Sequence, residues 1–384
     1  MIALIRGIVS DIFTLYFPRK RSREHYYYAF LVHPRHPKDI FRKFPFLKYL
    51  PKWGLRLFEQ HWWPTTVSEI TGLKKQGSNE DIRGFVISIP MTAEYMLKDR
   101  EHALAQIRRA TVLARNKGAK IIGLGALTAS LSAGGRNLTD IEGILITTGH
   151  TYTGYTVTNT LLHTYRDMGI NYQTVTVAIV GAAGSIGSTS AKLLAQKGVP
   201  RLILIDVERK LDAVKELATE ITKQYSSTSI TVTHTISAAR EATGVITATN
   251  APDALVRDEH IADGTIIVDD AQPSDISEEL FDRPKVLVLE AGAVRTPGIS
   301  TNFNMGLVHR EDNFCCLAEV LILASHRWNT STVGSVSIET VVEIAKMGDA
   351  MNFTLAQRQN ERGLIASEQF AAVTAAVAQR AAHN

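Results

Sequence analysis

Cysteine is nearly absent: the 384 residues include two, adjacent at Cys315 and Cys316. That excludes a disulfide framework, and since a bridge between neighbours strains the backbone, the pair reads as free thiols of a reducing cytoplasm. Uninterrupted apolar length is missing too. The chain opens MIALIRGIVSDIFTLYFPRKRSR, where Arg6 and Asp11 break the apolar run and Pro18 ends it, so it is too short and too charged to span a bilayer. A secretory leader would carry its basic residues ahead of the apolar stretch and offer a small-residue cleavage site, whereas here the basic cluster follows. Internal repeats, low-complexity linkers and nucleic-acid motifs are also lacking, so no nucleic-acid partner is expected.

What is present is the length for two domains, with 45% hydrophobic and 21% charged residues. The net charge of +4 is unevenly placed. Residues 19–56 hold 11 Lys/Arg against Glu24 and Asp39, a net +9, while residues 1–18 sum to zero and the remainder carries −5. An amphipathic helix with such a basic flank suits peripheral contact with an anionic membrane surface. The alternative is a helix packed on the protein's own body beside a solvated basic loop.

Beyond the basic segment, short apolar runs alternate with helical patterns, which predicts an α/β fold. GFVISIP (84–90), KIIGLGAL (120–127) and GILITTG (143–149) read as strands, with a helix over 93–117. Six further runs at 174–181, 201–206, 229–235, 244–249, 265–270 and 285–292 predict a Rossmann-type, doubly wound parallel sheet buried on both faces. The expected organisation is an amphipathic and basic extension over 1–24, then an α/β substrate domain over 25–170 closing with a linker helix near 152–168. A dinucleotide-binding domain over 171–309 follows, then C-terminal helices over 310–384 that carry the cysteines and end in an Ala-rich helix.

VAIVGAAGSIGS is the strongest motif: Gly181, Gly184 and Gly187 stand between a strand and a helix. Such glycines permit a tight turn and close backbone approach, and the helix start at Ser185, Ile186 and Gly187 presents N–H groups and a positive dipole end to a pyrophosphate. The alternative is a Gly-rich turn that serves helix–sheet packing. Asp206, at the end of the second strand, stands where a carboxylate accepts the ribose hydroxyls of NAD, while Arg209 and Lys210 could pair with a 2′-phosphate. NADPH and NADH both stay open on these residues. No metal-ligand set is assigned.

A Tyr-x-x-x-Lys after the glycine motif is lacking, which shifts attention to cysteine as the reactive group. Asp312 or Asn313 is a plausible N-cap for a helix running through Arg327, placing Cys316 in its first turn, where the dipole favours thiolate. Adjacent helical residues point about 100° apart, so one thiol can pack while the other reacts. Both packing in the core is the competing reading. TTGHTYTGY (147–155) places His150 and Tyr152 at a strand end, as cleft residues or as a helix cap and ordinary surface groups. Gly123 and Gly125 either admit a ligand to the backbone or allow a turn.

GLGAL (123–127), TTGHTYTGY, VAIVGAAGSIGS and FCCLAE (314–319), in this order, resemble the long-chain acyl-[acyl-carrier-protein] reductases of cyanobacteria over roughly residues 28–355. The resemblance implies reduction of fatty acyl thioesters to fatty aldehydes with NADPH through a cysteine-bound acyl intermediate, on acyl carrier protein or coenzyme A substrates. It places the reactive cysteine, which in that family lies in Phe-x-Cys-Phe-Ala-Glu, at Cys316. It also implies an oxyanion held by N–H groups of the Cys316 helix or by the TTGHTYTGY loop, with His150 or Tyr152 assisting the departing thiol. That family has Asn and His where this chain has His150 and Tyr152, and Ala-Arg in place of Asp206 and Val207. Two competitors remain: a nicotinamide-dependent amino-acid or hydroxy-acid dehydrogenase on the same plan, which needs no Cys316, and a non-catalytic, membrane-associated cofactor-binding protein.

Overall fold

Runs such as YYAFLV (27–32) and RLILI (201–205), rich in β-formers, fold as strands, and the computed structural model sorts the strands mainly into two six-stranded sheets. The structure describes residues 2–17, 26–34, 37–251, 253–271, 273–302, 307–334 and 336–383. Two compact units result. Met1–Gly149, Arg295–Val336 and Lys346–Thr354 form the first, and His150–Val294, Ser337–Ala345 and Leu355–Asn384 the second.

In the first unit, β1 (Tyr27–Val32), β2 (Thr65–Lys74), β3 (Asp81–Ser88), β4 (Ala119–Leu124) and β5 (Leu145–Thr147) lie in the order β2, β3, β1, β4, β5, with the two-residue strand Ser300–Thr301 beside β2. β1 runs parallel to β3 and β4, and β2 antiparallel to β3. Side chains alternate between the faces. Ala29, Leu31, Ile87, Ile122 and Leu124 share a core with Ile107, Ala110 and Leu113 of helix Arg100–Asn116. Onto the opposite face packs helix Cys315–Ser325, whose Leu317, Val320, Leu321, Ile322 and Leu323 are all buried. Each such side chain contributes ~1.5–3 kcal/mol by leaving water. The helix rides close because β4 has Gly123 beneath it: a Cβ there would stand 2.0 Å from Val320 Cγ2.

Several expectations change here. The single helix over 93–117 breaks at Asp99, whose carboxylate accepts from His102 N–H (3.1 Å) and caps Arg100–Asn116. β1 and β2 were not foreseen. The residues 1–24 are not a separate extension in their helical part: Ile2–Tyr16 is held to the first unit by the buried Asp11, which accepts from Thr66 N–H (2.7 Å) and pairs with Lys117 Nζ (2.7 Å). Arg19, Lys20, Arg21, Arg23 and Glu24 lie outside the described residues.

The second unit contains β6 (Thr176–Val180), β7 (Arg201–Ile205), β8 (Ser229–Thr233), β9 (Gly244–Thr247), β10 (Thr265–Asp269) and β11 (Val286–Glu290), all parallel in the order β11, β10, β9, β6, β7, β8. This is the Rossmann arrangement, with the strand order reversing beside β6, where such sheets bind ligands. One face carries Val177, Ile179, Leu204 and Val268 against the linker helix His150–Asp167 and helix Ser185–Gln196. The other carries Ala178, Ile203 and Ile267 under shorter segments such as Glu278–Phe281. The residues 310–384 divide: Cys315–Ser325 belongs to the first unit and the closing helix Ser367–His383 to the second, where Gln369 donates to Val286 O (2.9 Å). The linker helix, grouped by sequence with residues 25–170, also belongs to the second unit.

Candidate active site

The cysteine helix begins differently from the sequence expectation. Asp312 and Asn313 lie in the short strand Asp312–Phe314, and the helix starts at Cys315 with Phe314 as N-cap and no side-chain cap. Their side chains are engaged elsewhere: Arg295 Nε donates to Asp312 (3.0 Å), and Asn313 Nδ2 donates to Thr296 Oγ1 (2.6 Å). Cys316 is nonetheless in the first turn, where the helix dipole favours thiolate. Cys315 is 0% exposed in the core, and Cys316 is partly exposed.

The strand-end loop meets this turn from below. Gly149 adopts φ +74, and a Cβ on it would lie 2.3 Å from both Cα and Cβ of Cys316. A buried hydroxyl network fixes the loop. Thr147 Oγ1 donates to Glu319 Oε1, Thr332 Oγ1 donates to the same oxygen (2.8 Å), and Gly149 N–H donates to Thr147 Oγ1 (3.0 Å). Glu319 is 0% exposed and sits one helical turn after Cys316, on the helix that also carries the thiol. The chain thus brings together Cys316, Gly149, Thr147, Glu319 and Thr332. Of these, sequence reading gave a role of its own only to Cys316; Thr147 and Gly149 fell within TTGHTYTGY and Glu319 within FCCLAE without individual roles. A lone carboxylate inside the apolar run CCLAEVLIL was the available signal for Glu319.

Gly123 and Gly125 turn out to be packing positions. Gly123 admits Val320 and Phe30, and a Cβ on Gly125 would meet Phe30 Cζ at 2.7 Å and Leu31 O at 2.9 Å.

His150 and Tyr152 open the linker helix in the second unit. An edge of His150 is accessible, yet the protein around it pushes its pKa down to about 4 by desolvation, so the imidazole is neutral at pH 7. Tyr152 is buried and stacks on Tyr155 with ring centroids 6.0 Å apart.

The glycine turn fits a dinucleotide phosphate. A Cβ on Gly181 would lie 2.6 Å from Ala248 O, and one on Gly187 would lie 2.3 Å from Gly181 O, so the loop closes only without side chains. Gly184 is the N-cap of Ser185–Gln196 and provides no side-chain acceptor, so the first N–H groups, from Ser185, Ile186 and Gly187, point out of the helix end. Asp206 is more occupied than expected. It accepts from Ala183 N–H (2.9 Å) and Val207 N–H (2.8 Å), with Lys210 Nζ 3.7 Å away, so it braces the glycine loop while one acceptor site on each oxygen remains. Arg209 is exposed beside it.

Acidic groups at the carboxyl edge of this sheet were missed. Asp269 accepts from Thr247 Oγ1 (2.6 Å) and Ser274 Oγ (2.6 Å), and Asp275 accepts from Thr249 Oγ1 (2.6 Å). Burial pushes Asp275 up to about 6 and raises Asp269. Burial, and then the charges of Asp269 and Glu290, push the Asp270 carboxyl well above its ordinary value. Consecutive aspartates at the end of TIIVDD were the signal.

Residues 164–292 match the family described as shikimate/quinate 5-dehydrogenase. Aminotransferase PigE of a Serratia species is 24% identical over 279 residues, 70% of this chain and 32% of that protein, so the chain spans about a third of that relative's length. The long-chain acyl-[acyl-carrier-protein] reductase of Synechococcus elongatus is 25% identical over 302 residues, 75% of this chain and 85% of that one. Among solved structures, shikimate 5-dehydrogenase of Listeria monocytogenes is 11% identical over 85% of this chain and 98% of its own (TM-score 0.35). An NAD-dependent malic enzyme of Thermotoga maritima is 13% identical over 90% and 89% (TM-score 0.38). The match of residues 164–292, together with the parallel strand order of the second unit, identifies a Rossmann unit of the NAD(P)-dependent dehydrogenase type.

Proposed function

We propose that this protein reduces a long-chain fatty acyl thioester, carried on acyl carrier protein or coenzyme A, to the fatty aldehyde with NADPH or NADH. The observation that carries the reading is the division between the two thiols: Cys316, partly exposed in the first turn of a helix, has Gly149 backbone against it, while Cys315 is core. The resemblance of FCCLAE and the 25% identity to the Synechococcus reductase support it.

In this mechanism the Cys316 thiolate attacks the thioester carbonyl carbon. The tetrahedral oxyanion collapses, the carbon–sulfur bond to the carrier breaks, and the carrier thiolate leaves to take a proton, with the acyl group now on Cys316. Backbone N–H groups of the first helical turn stabilise the oxyanion, and losing one such donor costs ~100- to 1000-fold in rate. The nicotinamide, when bound, supplies the hydride. Release of aldehyde regenerates the Cys316 thiolate and needs no proton donor. His150 or Tyr152, at the start of the linker helix, is assigned to assist the departing thiol by hydrogen bonding, since a His150 pKa of about 4 makes its neutral imidazole a weak base with no acid proton to give at pH 7.

Intact-mass analysis after mixing the protein with a long-chain acyl thioester and no cofactor tests the reading. Acylation that disappears in Cys316→Ala and persists in Cys315→Ala supports it, and absence of acylation sinks it. Aldehyde yield with NADH against NADPH then decides the cofactor. The match of residues 164–292 favours a second reading, a dehydrogenase of a small hydroxy or amino acid, which would turn over without Cys316 and form no acyl-enzyme. Cofactor binding with no turnover of either substrate class would favour a non-catalytic protein. A cytoplasmic site of action belongs to the same proposal.

A further inference from the structure

Large apolar side chains are left in water in one part of this molecule far more than elsewhere. Among the described residues thirteen are exposed, and nine of these lie between Val9 and Leu57: Val9, Phe13, Tyr16, Phe17, Phe46, Tyr49, Leu50, Trp53 and Leu57. Positions 9, 13, 16 and 17 lie at helical spacing along Ile2–Tyr16 and its end, 46 and 49 lie one turn apart in Pro45–Tyr49, and 53 and 57 lie one turn apart in Lys52–His61, with extended Leu50 and Pro51 between those two helices. These elements are ordered from behind. Ile40, Phe44, Leu47 and Phe58 form a small core, with Ile8, Phe41 and Trp62 packed against it. Asp11 anchors the first helix through Thr66 and Lys117, and Tyr16 Oη accepts from Trp63 Nε1 (3.0 Å). The exposed side chains thus belong to a folded lobe whose inner side chains are packed.

Its charge is one-sided. Residues 37–57 hold six Lys/Arg (Lys38, Arg42, Lys43, Lys48, Lys52, Arg56) against Asp39, a net +5. Lys48 Nζ lies 4.8 Å over the Tyr49 ring, so a cation and an amphipathic aromatic are presented side by side. Among the described residues no helix is long and apolar enough to cross a membrane, so any lipid contact made here lies in the interface.

We propose that this lobe docks on the surface of a membrane containing anionic lipid, with Phe46, Tyr49, Trp53 and Leu57 entering the headgroup boundary and Lys48, Lys52 and Arg56 lying at the phosphate level. Charge complementarity selects this occupant. A second copy would set +5 against +5, and interfaces between protein copies are depleted of lysine at their centres, whereas a mixture of aromatic and basic side chains is what an anionic interface takes. This inference does not rest on the acyl-thioester reading and would survive its failure.

The test is sedimentation of the full chain with vesicles of mixed phosphatidylglycerol and phosphatidylcholine, and with phosphatidylcholine alone. Binding to the mixed vesicles, weakened by salt and about tenfold or more by Trp53→Ser/Leu57→Ser or by Lys48→Glu/Lys52→Glu, is expected. Each variant should keep the parent's circular dichroism and melting temperature, since all four residues are exposed. No binding to the mixed vesicles, equal binding by these variants, or sedimentation velocity showing a dimer that Trp53→Ser/Leu57→Ser dissolves would overturn it. So would capture of an acidic protein such as acyl carrier protein by this face in place of vesicles.

Discussion

Gly149 and Cys316 touch backbone to backbone, closely enough that a methyl group on the glycine would overlap Cα and Cβ of the cysteine. The relationship is independent of any substrate, so it can be probed chemically. In Gly149→Ala the new Cβ meets Cys316 and the residue must hold φ +74, a left-handed conformation that costs an L side chain ~1–2 kcal/mol. Alkylation of Cys316 by iodoacetamide, read by peptide mass, should slow or its pH dependence move, and thioester acylation should fall about 10- to 100-fold through misplacement of the thiol. An unchanged alkylation profile would show that the contact does not set the thiol's position.

Glu319 ties the same loop to the cysteine helix. Truncation in Glu319→Ala leaves the Thr147 and Thr332 hydroxyls without their buried acceptor and should cost ~1–3 kcal/mol in urea unfolding. Glu319→Gln keeps an acceptor oxygen and should recover most of that stability. If the Ala and Gln variants unfold at the same urea concentration, the network is not what holds the loop.

Two buried titrating groups act in opposite directions on acid stability. His150 has a folded pKa near 4 against 6.5 unfolded, so the unfolded chain binds the extra proton between those values. Its contribution is full above pH 6.5 and is lost as pH falls through 4, by at most about 3 kcal/mol. Asp275, near 6 when folded against 3.8 unfolded, contributes most below pH 3.8 and loses it as pH rises through 6. Stability measured from pH 4 to 7 should therefore fall less steeply toward acid in His150→Gln than in the parent, and more steeply in Asp275→Asn. Parallel curves for all three proteins would contradict both assignments.

Asp206 offers a separate discrimination. If its main task is to hold Ala183 N–H and Val207 N–H, Asp206→Ala should weaken NADH and NADPH alike, with ~1–3 kcal/mol lost at the loop. If its main task is to read a ribose hydroxyl, the substitution should weaken NADH and improve NADPH. Fluorescence titration with each nucleotide separates the two outcomes.

The sheet of the second unit was legible because its strands are short runs of Val, Ile and Leu bounded by Gly, Pro and Asp, each followed by a turn or helix. β1 and β2 were not, for a physical reason: YYAFLV lies inside the most basic part of the chain, where charge drew the reading toward a surface segment, and TTVSEITGLK mixes polar residues into a strand with register shifts against β3. The start of the cysteine helix was misjudged because Asp312 and Asn313 are good caps in isolation, and only tertiary partners, Arg295 and Thr296, show that their side chains are already committed. Gly149 and Glu319 were illegible as partners of Cys316 because they meet it through the fold, from 167 residues upstream in the first case and from within an apolar helix in the second.

The division of the first unit has a consequence for how the chain is made. Phe30 and Gly123 leave the ribosome long before Val320, which covers them, and His150–Val294, roughly 145 residues, is synthesised between. At ~5–20 residues per second that interval lasts on the order of ten to thirty seconds, during which one side of the first sheet lacks its cover. The second unit can close on most of its own residues meanwhile. A nascent chain arrested before Cys315 would therefore present an uncapped apolar sheet to chaperones, and the Cys316 thiol joins only as that sheet is sealed.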